Sequence, residues 1–333
     1  MNKAPRLSIL VTGGAGYIGS HVVRRLLAEG HEVHVYDSLL TGHAAAVAPQ
    51  AVLHEAELAD YGTLAFVLQK AHIQLVVHLA AFTSVSESIR DPDTCYRQNL
   101  YHTLGLLHCM MQQGVTELIF ASSCAVYRPS PEPMHEHWHL DPLTPYGHTK
   151  LAVEHALEAY AHASLLRSVV LRCFNAAGAH PAGDIGEAHR PETHLLPNIL
   201  RVAAGQTGRL LVHGNEHNTP DGTCIRDYIH VEDIAEAVVQ AVKSFAVRWH
   251  TVVNIGSGQG TSVIDLIKVC TEVTGRHIPW SVLAPRPGDP SHLVADIHRA
   301  DLELYWRPQY NLHQIVETAW KWHTNHPHGY FSL

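Results

Sequence analysis

The fold is decided by the stretch SILVTGGAGYIGSH at residues 8–21. Its apolar first half predicts a strand that ends at Thr12, and an amphipathic helix is expected to begin near Ser20. The turn between them contains four glycines, of which Gly13, Gly16 and Gly19 form the dinucleotide-binding pattern. Glycine permits a tight turn and a close approach of the backbone to a pyrophosphate, while a helix N-terminus offers free N–H groups. The stretch therefore predicts a dinucleotide-binding turn.

An acidic residue at the end of the next predicted strand supports this interpretation. Asp37 directly follows the strand 32–36 and is placed to accept a hydrogen bond from a ribose 2′-hydroxyl. A carboxylate would repel the 2′-phosphate of NADP, so the sequence predicts NAD as the cofactor. For Asp37 taken alone, a plain carboxylate at a strand end remains the alternative.

Short apolar runs alternate with longer amphipathic segments along the first half of the chain. This pattern predicts an α/β fold with a doubly wound parallel sheet of the Rossmann type. Gly30 and Gly114 stand where helix C-terminal caps are expected. The predicted strands are 7–12, 32–36, 74–78, 118–122, 168–172 and 252–255, and the predicted helices are 21–29, 94–113 and 146–162.

The rhythm of the sequence changes near Gly178, where proline, glycine and charged residues become more frequent. We expect an NAD-binding domain at residues 1–177 and a smaller C-terminal α/β substrate domain at residues 178–333. A return of part of residues 220–258 to the first domain stays open.

Composition excludes several classes of protein. The net charge is −8 and there is no basic run, so we expect no nucleic-acid partner. Six scattered cysteines without a C-x-x-C pair predict buried thiols in a reducing compartment rather than zinc or disulfides. The chain shows no targeting segment and no membrane span, so we expect a cytoplasmic protein. The 29 histidines are dispersed and show no familiar ligand spacing, so no metal is expected.

A tyrosine and a lysine follow a strong helix start. Thr144 and Pro145 suit the N-cap and the first turn, and Tyr146 and Lys150 then lie four residues apart on one helix face. An ammonium beside the phenol, together with a nicotinamide cation, would favour phenolate, so Tyr146 is a candidate general base. The alternative is an aromatic residue that anchors the helix, with an exposed lysine. The Ser122-Ser123 pair at a strand end weighs against it, because ligands of such folds bind at this edge of the sheet.

The chain resembles the extended short-chain dehydrogenase/reductase family, and within it the UDP-glucose 4-epimerases. The resemblance covers essentially the whole chain, and most of its motifs are absent from general reductases. It is carried by VTGGAGYIGSH at 11–21, TPYGHTK at 144–150, FNAAGAHPAGDIGE at 174–187, DGTCIRDYIHVEDIA at 221–235, NIGSGQGTSV at 254–263 and PRPGDPSHLVAD at 285–296.

The resemblance implies a role for individual residues. It makes Ser123, Tyr146 and Lys150 catalytic. It implies cofactor contacts from Gly13, Gly16, Tyr17, Ile18, Gly19, Asp37, Glu57, Leu58, Leu79, Ala80, Ala81, Asn99, Tyr146 and Lys150. It implies UDP-sugar contacts from Ser123, Tyr146, Asn175, His194, Leu195, Arg226, Arg286, Asp289 and Leu293. Arg226 and Arg286 also suit a diphosphate clamp on chemical grounds, because guanidinium pairs bidentately with phosphate oxygens, whereas surface ion pairs are the alternative.

The chain departs from the family pattern at positions near the cofactor. Ala56 and Glu57 stand where glycine and aspartate are common, and Arg128 stands where a glycine often follows the tyrosine. Thr83 replaces a lysine of some members, and Cys173 replaces an aromatic residue. No catalytic group is lost, but the strength of NAD binding and the lining of the nicotinamide pocket are put in doubt.

The implied reaction interconverts UDP-glucose and UDP-galactose. Tightly held NAD⁺ accepts hydride from sugar C4 as Tyr146 removes the 4-hydroxyl proton, and hydride returns to the other face of a 4-keto sugar. A 4,6-dehydratase is disfavoured because Cys124 and Ala125 stand where that activity usually has an acidic dipeptide. An epimerase of UDP-N-acetylhexosamines or UDP-pentoses, and a catalytically silent NAD-binding regulator, remain as alternatives.

Two finer expectations follow from the resemblance. One is a homodimer that pairs the helices 94–113 and 146–162 into a four-helix bundle, with apolar surface from Leu100, Leu104, Leu107, Leu151, Ala152 and His155; burial in the monomer core is the alternative. The other concerns Leu293, where a tyrosine goes with restriction to plain hexoses. The smaller leucine predicts secondary activity on UDP-N-acetylglucosamine, unless Leu293 merely packs inward.

Overall fold

A seven-stranded parallel sheet organises the first half of the molecule. The computed structural model describes residues 6–245, 249–286 and 289–331, so residues 287–288 of the segment 285–296 lie outside it. The strand order is β10-β6-β5-β4-β1-β2-β3. This confirms the predicted doubly wound Rossmann-type fold. The strands of this sheet are β1 Ser8–Thr12, β2 Glu32–Asp37, β3 Val52–Glu55, β4 Leu75–His78, β5 Glu117–Ser123, β6 Arg167–Cys173 and β10 His250–Ile255.

Helices cover both faces of this sheet, because alternate residues of each strand point to opposite sides. Ile9 and Val11 of β1 belong to the core shared with α1, α8 and α10, whereas Leu10 belongs to the core shared with α2, α5 and α6. The helices are α1 Tyr17–Ala28, α2 Tyr61–Lys70, α3 Val85–Arg90, α4 Pro92–Tyr96, α5 His102–Gln112, α6 Pro145–His162, α7 Leu195–Ala203, α8 Val231–Ser244, α9 Val263–Thr274, α10 His298–Leu304 and α11 Leu312–Asn325.

Every predicted strand and helix is present in the structure, with shifted boundaries in two helices. In the first half, strand β3, which is short and not fully buried, was not predicted, and neither were helices α2 and α3. The helix predicted at 94–113 begins earlier, at Pro92, and a π-helical turn at Arg97–Tyr101 separates α4 from α5. Helix α1 begins at Tyr17, before the predicted Ser20. The predicted caps are confirmed, since Gly30 and Gly114 have φ angles of 92° and 71°.

A second group of elements follows residue 173. It contains a four-stranded sheet, a two-stranded sheet, and a core that α7, α9 and α11 share. The chain does not stay in this group: β10 pairs in parallel with β6, and α8 packs against α1. The predicted boundary at residue 178 remains a prediction. The strands of this group are β7 Asn175–Ala177, β8 Leu210–His213, β9 Ile225–His230, β11 Gly260–Ser262, β12 Trp280–Leu283 and β13 His292–Leu293.

Two further expectations concern the cysteines and the membrane. All six cysteines are free and buried, as predicted. In the part of the chain that the structure describes, no helix combines the length and the apolar character that crossing a membrane requires.

Candidate active site

The glycine turn after β1 is too crowded for other side chains. Gly13 has a φ of +72°, and a Cβ added there would lie 2.6 Å from the backbone nitrogen of Ala80. A Cβ on Gly19 would lie 2.0 Å from the Gly13 carbonyl oxygen. Gly16 is the N-cap of α1 and brings no side-chain hydrogen bond to the helix N-terminus. The first N–H groups of α1 are therefore left for an anion, which fits the pyrophosphate of a dinucleotide.

Asp37 lies at the end of β2 beside this turn. Its Oδ2 accepts a hydrogen bond from the Ala15 backbone nitrogen at 3.0 Å, and its Oδ1 accepts one from the Leu39 nitrogen at 2.9 Å. The side chain is partly exposed, and each oxygen keeps a further lone pair. The carboxylate is thus fixed in place with acceptor capacity to spare, as a ribose hydroxyl would require.

Other predicted cofactor residues occupy the same edge of the sheet. Glu57 and Leu58 follow β3, and the Glu57 carbonyl accepts from the Tyr36 hydroxyl at 3.2 Å. Leu79, Ala80 and Ala81 follow β4, and Leu79 N donates to the Thr12 carbonyl at 3.1 Å. The residues present at this edge therefore fit a dinucleotide.

Two of the predicted cofactor residues have their polar atoms engaged by the protein. Asn99 is buried; its Oδ1 accepts from Phe82 N at 2.7 Å, and its Nδ2 donates to Phe82 O and to Thr149 Oγ1. The Tyr17 hydroxyl donates to the Gly178 carbonyl at 2.7 Å. Asn99 thus fixes the backbone at Phe82, and Tyr17 fixes the backbone at Gly178, beside the edge of the sheet where the cofactor residues lie. Ile18, between Tyr17 and Gly19, packs against the core.

The predicted catalytic residues come together at the ends of β5 and α6. Ser123 is the last residue of β5, and Tyr146 and Lys150 lie in the first turns of α6. Thr144 is the N-cap, as predicted, and its Oγ1 accepts from Gly147 N at 3.3 Å. A Cβ on Gly147 would lie 2.3 Å from the Ala125 carbonyl oxygen, so α6 packs directly on the segment after Ser123. This contact brings the phenol to the serine.

Burial dominates the protonation of this group. It raises the pKa of Tyr146 well above its ordinary value, and a hydrogen bond with Ser123 offsets only part of the effect. It lowers the pKa of Lys150 to about 8. The Lys150 Nζ donates to the Ala121 carbonyl at 2.8 Å and lies 5.8 Å from the Tyr146 ring centroid. Lys150 alone therefore does not produce the phenolate that the sequence analysis expects.

A buried ion pair lies behind the catalytic residues, and sequence reasoning missed it. Glu154 and Arg172 have side chains only 4% exposed, and two guanidinium nitrogens of Arg172 donate to the Glu154 carboxylate. Ser122 also donates to Glu154, so its hydroxyl is used inside the protein and Ser123 alone faces the site. The pair joins α6 to β5 and β6. A glutamate one turn after Lys150 is the only sequence signal.

The predicted substrate residues gather on short elements of the second group. Asn175 begins β7, and within the described residues its buried Oδ1 has no hydrogen-bond partner, which suits a ligand contact. Arg226 lies in β9, and its guanidinium is paired with Asp289 and bonded to the Ile225 carbonyl. Arg286 is exposed. The two predicted contacts Arg226 and Asp289 thus form one mostly buried pair rather than independent ligands.

Leu293 lies beside a predicted substrate residue and also packs against a core cluster. It lies in β13, in register with Arg226 of β9. It also packs against the core cluster that contains Cys124, Tyr127 and Phe174. Its role in substrate choice remains a prediction.

His194 and Leu195 stand at the start of α7. His194 is the N-cap, and its Nδ1 contacts the carboxylate of Glu187. Burial alone would lower the pKa of His194, but the charge of Glu187 outweighs it and raises the pKa to about 9. Burial would raise the pKa of Glu187, yet the imidazoles of His194 and His189 hold it at about 2.

Four side chains of this loop come together although their spacing in the sequence predicts no ligand set. Glu187, His189, Glu192 and His194 place their ligand atoms within 4.8 Å of one another. Irregular loop geometry brings them together, so neither a helical nor a strand-like spacing announces the cluster.

Cys173 marks the departure nearest to the catalytic residues. It is the last residue of β6 and pairs in register with Ser123. Burial raises the pKa of its thiol to about 12, so the side chain is a small neutral group. Cys173 therefore does not fill the volume that the aromatic residue of other family members occupies at this position.

Known proteins match this chain over nearly its full length. Residues 9–256 match the NAD dependent epimerase/dehydratase family. The UDP-glucose 4-epimerase of Lacticaseibacillus casei is 43% identical over 327 residues, 97% of this chain and 99% of that protein. A UDP-glucose 4-epimerase from Brucella ovis, solved in complex with NAD, has a TM-score of 0.90 and 43% identity, covering 94% of this chain and 97% of that one. The UDP-Glc/GlcNAc 4-epimerase of Campylobacter jejuni has a TM-score of 0.83 and 33% identity, covering 96% of this chain and 99% of that one.

Proposed function

The chain belongs to the NAD dependent epimerase/dehydratase family, and from this premise we propose that it interconverts UDP-glucose and UDP-galactose. The observation that carries the proposal is the meeting of Ser123, Tyr146 and Lys150 at the sheet edge that also bears the glycine turn. Relatives more than 40% identical over nearly the whole chain bear the name UDP-glucose 4-epimerase. Intact catalytic residues argue against a silent NAD-binding regulator.

Each catalytic side chain has a distinct task. The glycine turn and Asp37 would hold NAD, which when bound would supply the chemistry that oxidises the sugar at C4 and reduces it again from the other face. Tyr146 removes the proton of the 4-hydroxyl and returns it. Ser123 holds the same sugar oxygen by a hydrogen bond. The Lys150 ammonium, with a pKa of about 8, stabilises negative charge on the phenol oxygen.

The nucleotide end is bound by the second group of elements. We propose that Asn175, whose Oδ1 has no partner among the described residues, contacts the UDP portion together with His194 and Leu195 at the α7 N-terminus. Arg226 and the exposed Arg286 bind the diphosphate, since guanidinium matches phosphate oxygens and the chain carries a net charge of −8. Firm binding at this end leaves the sugar free to turn.

The test combines an assay with a cofactor analysis. Purified protein is supplied with UDP-galactose and no added nucleotide, and UDP-glucose formation is followed. Denatured protein is extracted for nicotinamide nucleotides. We expect turnover without added cofactor and NAD in the extract. Protein that contains NAD but converts no UDP-sugar would support the silent regulator, and a strict requirement for added NADP would contradict the proposal.

A second candidate activity is epimerisation of UDP-N-acetylglucosamine. The observation that favours it is Leu293, a side chain smaller than tyrosine that lies in register with Arg226. A Campylobacter jejuni relative is named for both UDP-Glc and UDP-GlcNAc. UDP-pentoses remain a further possibility of the same kind. Comparing the rates on UDP-glucose and on UDP-N-acetylglucosamine tests whether the second activity is present.

We also propose a homodimer formed through the segment from α4 to α5 and through α6. Leu107 is fully buried in the monomer, so the expectation that it supplies dimer surface is wrong. Leu104 is exposed, as that surface requires, and Tyr96 and Tyr101 of the same helical stretch are further exposed aromatic residues. Light scattering at micromolar concentration tests this, and a monomer would contradict it.

The proposed location is the cytoplasm. Six free, buried cysteines suit a reducing compartment, where thiols persist without forming disulfides. Fractionation of cells that express the tagged chain tests this proposal, and recovery outside the cytoplasm would contradict it.

A further inference from the structure

Four side chains with metal-ligand chemistry converge in the loop ahead of α7. Glu187, His189, Glu192 and His194 each direct one ligand atom to a common region. His189 Nδ1 lies 3.0 Å from Glu187 Oε1 and 3.9 Å from Glu192 Oε2. His194 Nδ1 contacts the same Glu187 oxygen. Two imidazoles and two carboxylates thus lie close enough together to be considered as ligands of one ion.

The loop that carries these side chains is anchored from behind. The Glu187 carbonyl accepts from Trp322 Nε1 at 2.9 Å, and the Glu187 side chain is only 5% exposed. Glu192 Oε1 accepts from the His194 backbone nitrogen at 2.8 Å. The side chain of His194 is 51% exposed, which leaves an entry path from solvent. The cluster is therefore held in place yet accessible.

The separations suit a transition-metal ion after a small adjustment. Bonds of about 2.0–2.2 Å from nitrogen and oxygen to Zn²⁺ let two ligands of one ion lie up to about 4 Å apart. The largest separation, 4.8 Å, therefore has to shrink by less than about 1 Å, and the close contact between His194 and Glu187 has to lengthen. The exposed side chain of His194 leaves room for this movement. Mg²⁺ and Ca²⁺ prefer oxygen ligands, so two imidazoles disfavour them.

We propose that Glu187, His189, Glu192 and His194 form a binding site for a divalent transition-metal ion of the Zn²⁺ class. Two carboxylates balance the charge of the ion. The ion would be bound by Nδ1 atoms and carboxylate oxygens that now contact one another. The site is distinct from Ser123, Tyr146 and Lys150 but shares His194 with the proposed UDP contacts, and its existence does not depend on the proposed activity.

The experiment measures binding directly, without an enzyme assay. Intact protein is treated with EDTA, desalted, and titrated with Co²⁺, whose visible absorption distinguishes four-coordinate from hydrated ions. Bound zinc is then quantified by elemental analysis after gel filtration with Zn²⁺. We expect one tightly bound ion per chain and a four-coordinate Co²⁺ spectrum. His189→Ala should weaken binding by at least about tenfold, since even groups that only support metal ligands are worth that much.

A chain with 29 histidines needs a matched control. The exposed pair His135 and His137 is replaced together by alanine, which removes two imidazoles and leaves the loop intact. This variant should bind like the wild type. Glu192→Gln provides a second variant that keeps the volume of the side chain, and circular dichroism verifies that each variant folds. Equal binding by the wild type and both loop variants, or an absence of the four-coordinate spectrum, would overturn the proposal.

Discussion

The catalytic side and the nucleotide-sugar side of the site are built in different ways. Ser123, Tyr146 and Lys150 lie on a seven-residue strand and an 18-residue helix, joined behind by the buried Glu154–Arg172 pair. The predicted nucleotide-sugar contacts are scattered over a three-residue strand, a two-residue strand, the six-residue β9, the start of α7 and loops. Regular, buried elements fix reacting groups to the protein, whereas short elements leave contacts that the substrate has to complete. Substitutions on the two sides should therefore differ in kind and in size.

The largest effect should come from the phenol. Tyr146→Phe removes the proton acceptor and little volume, so kcat should fall by about 10²–10⁴-fold, the usual contribution of general acid–base catalysis. UDP affinity, measured by calorimetry, should stay near that of the wild type, because the nucleotide side is untouched. A near-normal kcat would mean that Tyr146 only packs against its neighbours and does not act as the base.

The next effect tests whether the buried pair holds the catalytic side together. Glu154→Ala leaves Arg172 charged and unpaired, and breaking a buried pair costs about 3–5 kcal/mol of the free energy of unfolding. Glu158→Ala, an exposed glutamate on the same helix, is the control and should change it by less than about 0.5 kcal/mol. Denaturant unfolding measures both. Similar values for the two variants would contradict the role of the pair.

Lys150→Met should lose turnover but gain stability. Lowering the Lys150 pKa from 10.5 to about 8 corresponds to about 3 kcal/mol at neutral pH, and the lost hydrogen bond to Ala121 offsets about 1 kcal/mol. The folded protein binds the Lys150 proton less tightly than the unfolded chain does. Burial of the Lys150 charge therefore lowers the free energy of unfolding by its full amount below pH 8. This destabilisation decreases as the pH rises toward 10.5.

The variant should thus be more stable by about 2 kcal/mol at pH 7, with a smaller difference at pH 10. Denaturant unfolding at both pH values, with matched NAD content, measures this. A difference that does not change with pH would show that Lys150 is not held at a lowered pKa.

The smallest effect belongs to the nucleotide-sugar side. Leu293→Tyr adds a ring beside Arg226, so the ratio of kcat/KM for UDP-N-acetylglucosamine to that for UDP-glucose should fall by about tenfold, or about 1.4 kcal/mol. Leu293→Met, of similar volume, is the control. An equal loss on both substrates would mean that Leu293 only packs against its core cluster.

The sequence predicted what regular elements and special backbone positions determine. Six of the seven strands of the parallel sheet, the glycine turn, the caps Gly30 and Gly114 and the Thr144 N-cap carry local signals, and the structure confirms them. The prediction missed β3 because a short strand that is not fully buried lacks a continuous apolar run. It missed the π-helical turn because no known local signal distinguishes it here.

Pairings between distant residues could not be predicted. Glu154 meets Arg172, and Arg226 meets Asp289, only because the fold brings separate elements together. The cluster from Glu187 to His194 is local in sequence but depends on an irregular loop. Leu107 was assigned to a surface because helical spacing alone does not tell which apolar face the sheet covers.

The return of the chain to the seven-stranded sheet has a consequence for synthesis on the ribosome. β10 occupies the edge beside β6, and α8 covers α1, yet both are made long after the other strands of that sheet. A nascent chain that ends near residue 177 exposes the edge of β6 and the apolar face of α1. The seven-stranded sheet and the core around α1 can therefore be completed only after about residue 255 has emerged from the exit tunnel. Codon-dependent pauses within this interval would prolong the exposure and favour aggregation or chaperone capture.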